Sequence, residues 1–304
     1  MKIIPTVTVA ICACNEEANI GRLIKSILEQ KESSFRFEKL FVVSDGSTDK
    51  TVEIIKSFNS PKLEIIDYKT RMGKSYRLNE IYSVVHSDFI VQPDADVILG
   101  HSGVLREIIS PMIKNEKVGI TGGNSNPMKP VTLVEKAVKT TFDAYSCIIK
   151  VLLRGNNIYT ATGRLIALRK AAYKNLKVPR HTISNDHFVY FKIISRNFFY
   201  RFSPNAKVYF RLPQTLRDHI SQETRFASAE RFMKIYFSPE LVNKEYFIPR
   251  SLLFREVIQQ VIKHPLLSLL AFMMNKYCQL QVTFNRTKVS SLWEIVYSTK
   301  KLVN

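Results

Sequence analysis

The strongest constraint on this chain's fold is a strict alternation in its amino-terminal third. Four strand-length apolar runs, at 6–13, 39–43, 63–68 and 89–91, are separated by segments in which apolar residues recur every three or four positions. The clearest of these carries Ile20, Leu23, Ile24, Ile27 and Leu28, the stripe of an amphipathic helix. Strands alternating with helices of this kind give an α/β fold: a mostly parallel sheet with helices on both faces. Such sheets bind ligands beyond the carboxyl ends of their strands. Polar loops follow the first, second and fourth runs, so Asn15, Asp45 and Asp94 are predicted to share one rim, with Gln92-Pro93 ending the fourth strand.

Beyond residue 100 the pattern predicts a helix at 105–114, a strand at 118–121, a long helix at 131–152 and a strand-like segment at 159–168. An aromatic-rich helix begins at 184–186, one or two short strands fall within 199–210, and a further helix runs on from Pro213. There Gln222, Arg225 and Phe226 stand at i, i+3 and i+4 and share a face. The expected division is a catalytic domain over 1–235 and a helical, basic carboxyl-terminal appendage over 236–304.

Asp94 and Asp96 flank one residue. Such a pair can hold a hard cation, Mg²⁺ or Mn²⁺, while leaving positions open for phosphate oxygens. The net charge of +19 favours polyanionic partners, whether nucleic acid, an anionic membrane or a phosphorylated substrate. From 201 to 304 there are 16 Lys and Arg against 7 Asp and Glu, and the run at 265–274 is the most apolar in the chain. That run is too short for the roughly 20 residues a bilayer crossing needs, which leaves a buried or interfacial helix. The four cysteines show no Cys-x-x-Cys spacing and no clustered His, so neither a disulfide framework nor a zinc site is expected, and a reducing compartment is. Lys2 and the apolar run after it superficially resemble a signal peptide, but Pro5 and the alternating β-branched residues suit a first strand. Gly73-Lys74 lacks the upstream glycine of a phosphate-binding Walker loop.

Taken in order, VAICACNEEANIGRLIKSI, VVSDGSTDKT, RMGKSYRLNEIY, QPDADV, ATGRLIALRK, SND and QETRF resemble the family 2 glycosyltransferases, from Thr6 to about Phe226. The resemblance implies a GT-A fold, a nucleotide-diphosphate sugar donor, a divalent metal and inversion at the anomeric carbon. It assigns Ala13, Asn15, Glu16 and Asp45 to the uracil and ribose, and Gly73, Lys74 and Asp94 to the nucleotide. Asp96, with Asp94, would hold Mg²⁺ or Mn²⁺, and Asp186 would be the general base. The family usually places Glu-Asp where this chain has Asn185-Asp186; Asn185 and Gly163 would lie beside the acceptor. Gln222, Arg225 and Phe226 resemble the Gln-x-x-Arg-Trp element of membrane-associated members, with Phe in place of Trp. Gln222 and Arg225 would hold the diphosphate, and Phe226 would stack on the acceptor. His219 is a weaker metal candidate, and SSLWEIVYSTKK near the carboxyl terminus resembles the Trp-containing segment that follows the membrane part of such enzymes.

The expected protein is therefore an inverting, metal-dependent glycosyltransferase using a UDP-sugar and a lipid-linked or saccharide acceptor. It would be cytoplasmic, peripheral on the inner face of the cell membrane against anionic lipid, with no nucleic-acid partner. A sugar-phosphate nucleotidyltransferase would need a glycine-rich amino-terminal loop, which ICACNEEAN lacks. A nucleic-acid-binding protein would interleave aromatics with a basic strip, whereas here the aromatics fall mostly on apolar faces.

Overall fold

A computed structural model describes residues 4–284. The predicted alternation is present: β1 (Thr6–Ala13), α1 (Ile20–Leu28), β2 (Arg36–Asp45), α2 (Thr51–Lys56), β3 (Leu63–Tyr68), α3 (Lys74–Val84) and β4 (Phe89–Pro93) follow one another. Then come β5 (Val97–Leu99), α4 (Val104–Lys114), β6 (Val118–Pro127), α5 (Leu133–Val151), β7 (Leu165–Arg169), α6 (Lys170–Tyr173), α7 (Asn185–Ile194) and β8 (Phe199–Phe210). All eight strands form one sheet in the order β3-β2-β1-β4-β7-β6-β8-β5. Four of its seven pairings are parallel; β7 runs antiparallel to β4 and β6, and β5 antiparallel to β8.

Alternation along β1 splits the core between the two faces, because successive side chains of a strand point in opposite directions. Val7, Val9 and Ile11 bury themselves with α1 and α4, while Ala10 faces the layer formed by α3 and α7. The second layer holds Leu78, Ile81, Phe188 and Phe191. It fixes the starts of α3 and α7 above the same strand ends.

Three boundaries differ from the sequence reading. β4 does not stop at Gln92: the antiparallel neighbour β7 recruits Gln92 against Ile166 and Pro93 against Leu165. The strand-like segment at 159–168 is a strand only from Leu165, because Asn157 accepts from the Tyr159 N–H at 3.1 Å and bends 158–160 into a tight helical turn. Residues 199–210 form one continuous strand with register shifts.

The carboxyl-terminal part is helical: α8 (Leu216–Tyr236), α9 (Pro239–Glu245), α10 (Arg250–Lys263) and α11 (Pro265–Phe284). The expected boundary at 235/236 cuts through packed core. Val242 is fully buried, and Phe237 lies 5.1 Å from Phe191 and 5.4 Å from Phe188, both on α7. Packed core therefore continues beyond residue 235, into Phe237, Val242 and Tyr246. α10 and α11 pack on α5, with Ala271, Met274 and Cys278 turned inward. Their outer faces are apolar and exposed: Leu253, Phe254, Val257, Ile258, Val261 and Ile262 recur at helical spacing on α10, and Leu266, Leu269, Phe272 and Met273 on α11. Among the described residues no helix is long and apolar enough to cross a membrane. SSLWEIVYSTKK lies outside the described residues.

Candidate active site

Asp94 and Asp96 sit half-buried on the turn between β4 and β5. Lys74, the first residue of α3, forms an ion pair with Asp94. Its placement depends on the turn before it, where Gly73 adopts φ 91° and ψ 155°, a conformation that a residue with a Cβ rarely takes. Asp45 holds that turn. Its Oδ1 accepts from Met72 N–H at 2.8 Å and Arg77 Nε at 2.7 Å, and its Oδ2 from Gly73 N–H at 2.7 Å. Asp45 is 4% exposed, and its carboxylate orders the turn that aims Lys74. Arg77 in turn lies 3.6 Å from the Tyr68 ring.

The loop after β1 is likewise scaffold. Asn15, at φ 54°, accepts from the Thr48 N–H at 2.8 Å, and its own N–H donates to Ser47 at 3.2 Å, stitching the first loop to the second. Glu16 is buried, accepts from Asn19 at 3.2 Å, and donates its N–H to Thr51 at 2.7 Å. Ala13 is in the core. Both side chains face inward.

The decisive juxtaposition is at Gly163. Its N–H donates to Asp186 Oδ2 at 2.9 Å. On the other side, a Cβ at this position would lie 3.3 Å from both carboxylate oxygens of Asp94 and 3.5 Å from Lys74 Nζ. Asp186 Oδ1 accepts from the Ser184 hydroxyl at 2.7 Å and the His187 N–H at 3.0 Å. Burial raises the Asp186 carboxyl, but the neighbouring His187, which charges only at acid pH, the hydrogen bonds from Ser184 and Gly163, and Lys74 outweigh it and hold it below the usual range. Asp186 is therefore an ionised acceptor at neutral pH. Burial also opposes the charge on Lys74, and Asp94 more than compensates, so the ammonium is held.

Arg164 completes the electrostatics. It lies 3.7 Å over the Phe210 ring, and burial lowers its affinity for a proton against the opposing pull of Asp94, Asp96 and Asp186. A guanidinium stays charged under these conditions. Cys12, beneath the pair, is pushed up to about 12, chiefly by burial, and is a neutral packing group.

Asn185 is 3% exposed, and its Oδ1 accepts from Ser75 at 2.6 Å. Asn185 turns inward and joins the first turns of α3 and α7. His219 is also inward, 3.0 Å from Asn275, and ties α8 to α11. Gln222 and Arg225 are half-buried on α8, whereas Phe226 is 56% exposed. The sequence reading missed Ser184, Arg164, His187 and Tyr246. An arginine next to the candidate glycine was a signal for Arg164; Tyr246 had none.

Among the described residues no three His, Cys, Asp or Glu side chains form a closed metal cage. Asp94 and Asp96 stand on one turn, both within the electrostatic reach of Arg164, and the missing side chain at Gly163 leaves room beside the Asp94 carboxylate. That donor set suits Mg²⁺ or Mn²⁺, which keep several positions for water and phosphate.

Residues 8–177 match the model of glycosyl transferase family 2. The chain belongs to that family. The glycosyltransferase is 24% identical over 222 residues to the poly-β-1,6-N-acetyl-D-glucosamine synthase of Staphylococcus epidermidis, a match covering 71% of this chain and 52% of that one. It thus spans about half the length of the curated relatives it matches. Its fold is GT-A. It is similar to the mannosyltransferase PcManGT of Pyrobaculum calidifontis, solved with GDP-Man and Mn²⁺ (TM-score 0.60, 16% identity, 94% of this chain and 82% of that one). It is also similar to the glucosyl-3-phosphoglycerate synthase of Mycobacterium tuberculosis, solved with Mn²⁺ and UDP-glucose (TM-score 0.53, 15% identity, 74% and 77%).

Proposed function

We propose that this glycosyltransferase moves a sugar, with inversion, from a uridine diphosphate donor to a hydroxyl of a lipid-linked or saccharide acceptor, and that it requires Mg²⁺ or Mn²⁺. The carrying observation is the position of Gly163, with the Asp94–Lys74 pair on one side and the ionised Asp186 on the other.

Lys74 and Arg164 supply fixed positive charge for the diphosphate, and Gln222 and Arg225 on α8 are assigned to the same group. Asp96 and Asp94 would hold the cation, which when bound neutralises charge developing on the leaving diphosphate. Asp186 accepts the proton of the acceptor hydroxyl as that oxygen attacks the anomeric carbon and the bond to the diphosphate breaks, worth about 10²- to 10⁴-fold in rate. Gly163 leaves the space in which donor and acceptor meet. Phe226 offers an exposed ring for an acceptor sugar.

We assign the enzyme to the inner face of the cell membrane. The exposed apolar faces of α10 and α11, flanked by Arg250, Arg255, Lys263 and Lys276, support this, since apolar burial and attraction to anionic lipid together give a reversible anchor. Flotation of the full chain with anionic liposomes at low salt checks it; absence of binding would remove the membrane from the proposal.

The donor is tested by a thermal-shift screen of nucleotide sugars with and without Mn²⁺, because a ligand bound by the folded state raises its stability. Asp186→Asn should keep donor binding and lose transfer by about 10²- to 10⁴-fold. Undiminished transfer would refute Asp186 as the base.

A further inference from the structure

Beside Asp186 the imidazole of His187 turns toward the segment that follows α9. Its Nδ1 lies 2.7 Å from the Tyr246 hydroxyl, and the two rings meet edge to face with centroids 5.6 Å apart. Tyr246 is held firmly. Its carbonyl accepts from the Tyr159 hydroxyl at 2.5 Å, its ring stacks on Phe191 at 6.0 Å, and the Tyr159 ring meets it edge-on at 5.8 Å. A residue sixty positions downstream is thus built into the surroundings of the base.

We propose that Tyr246 is a positioning residue for Asp186 that acts through His187: its hydroxyl donates to Nδ1, fixes the ring as the neutral Nε2–H tautomer, and keeps positive charge away from the carboxylate. The inference rests on the reading of Asp186 as general base. A phenol is the stronger hydrogen-bond acid of this pair and an imidazole nitrogen the stronger base, so the phenol donates. The tyrosine stays protonated, because burial and then Asp186 both push its ionisation far above the ordinary range. Around the pair stand Asp186 and Lys74 on one side and Tyr159, Tyr145 and Glu230 on the other. Asp186 alone would favour an imidazolium; burial opposes it and wins, so His187 titrates below its ordinary value.

The consequence concerns base strength. A protonated His187 would stabilise the Asp186 carboxylate and make it a poorer proton acceptor. With Tyr246 donating to Nδ1, protonating that nitrogen requires breaking the hydrogen bond, so the base keeps its strength to lower pH.

The test uses Tyr246→Phe, which retains the ring, in the full chain of 304 residues with histidine-selective isotope labels. His187, assigned by its loss in His187→Gln, should be the Nε2–H tautomer in the wild type. In Tyr246→Phe its titration midpoint should rise by about one pH unit, the equivalent of one lost hydrogen bond. In transfer assays the same variant should lose about tenfold in kcat at pH 6 relative to pH 8 with the donor KM unchanged. The double variant Tyr246→Phe/His187→Gln, which has no ionisable ring, should show no such acid-side loss. Identical His187 titrations in wild type and Tyr246→Phe, or an Nδ1–H tautomer in the wild type, would overturn the proposal. A shifted titration without the acid-side loss would overturn the coupling to Asp186, whereas full transfer by Asp186→Asn would instead remove the underlying base reading.

Discussion

The backbone N–H of Gly163 donates to Asp186 at 2.9 Å, while the side chain that Gly163 lacks would have pressed on the carboxylate of Asp94. One residue thus orients the Asp186 carboxylate and leaves open the space beside the Asp94 carboxylate. Its backbone lies outside the left-handed region, so alanine fits the local conformation.

Gly163→Ala should therefore leave the fold intact and fill the reacting space. The added methyl, 3.3 Å from both Asp94 oxygens, must shift them by tenths of an ångström. Misplacement at a reacting centre is costly, and kcat/KM should fall about 10- to 100-fold with an almost unchanged melting temperature. Steady-state kinetics beside a thermal melt checks both; full activity would mean that the acceptor hydroxyl does not pass this residue.

Removing the ammonium of Lys74 tests the other side. Both partners of the Lys74–Asp94 pair are about one-fifth exposed (21% each), so Lys74→Met strands a carboxylate that water only partly reaches. Stability should drop by about 2–3 kcal/mol, below the figure for a fully enclosed pair, and affinity for a nucleoside diphosphate should weaken. Adding Asp94→Asn should recover part of the stability, read by urea denaturation as a double-mutant cycle.

The core that carries α7 extends beyond residue 235. Val242→Ala empties a fully buried site, and a loss of about 2 kcal/mol in urea denaturation is expected. A chain ended at residue 235 would lose Phe237, Val242 and Tyr246 from the layer against Phe188 and Phe191 and should not fold stably. Cooperative unfolding of that truncated chain with wild-type stability would show that the boundary does lie there.

Acid should destabilise the enzyme in two steps. His187 and Asp186 both titrate below their ordinary values of 6.5 and 3.8 in the folded state. Each therefore contributes stability above its ordinary value that is lost as pH falls through its lower, folded value. Lys74 is shifted upward, so its contribution is complete below its ordinary 10.5 and fades only at more alkaline pH. Urea midpoints should form a plateau above pH 6.5 and decline below it, less steeply in His187→Gln. An identical acid slope in that variant would contradict the assignment for His187.

The sequence by itself determined the strand–helix alternation, the GT-A family and the rim on which Asp94 and Asp96 stand. These follow from local period and from motifs read along the chain, where neighbours in sequence are neighbours in space. The family resemblance carried by ATGRLIALRK and SND also singled out Gly163 and Asp186. What only the tertiary structure decided is which polar side chains face the crevice and which are consumed as scaffold. Asp45 and Asn185 are turned inward by partners 28 to 110 positions away: Gly73 and Arg77 for Asp45, and Ser75 for Asn185. The same holds for Tyr246, which reaches His187 across 59 residues because α8 and α9 fold back on α7. A hydrogen bond between distant residues depends on how the layers pack, and no local pattern encodes it.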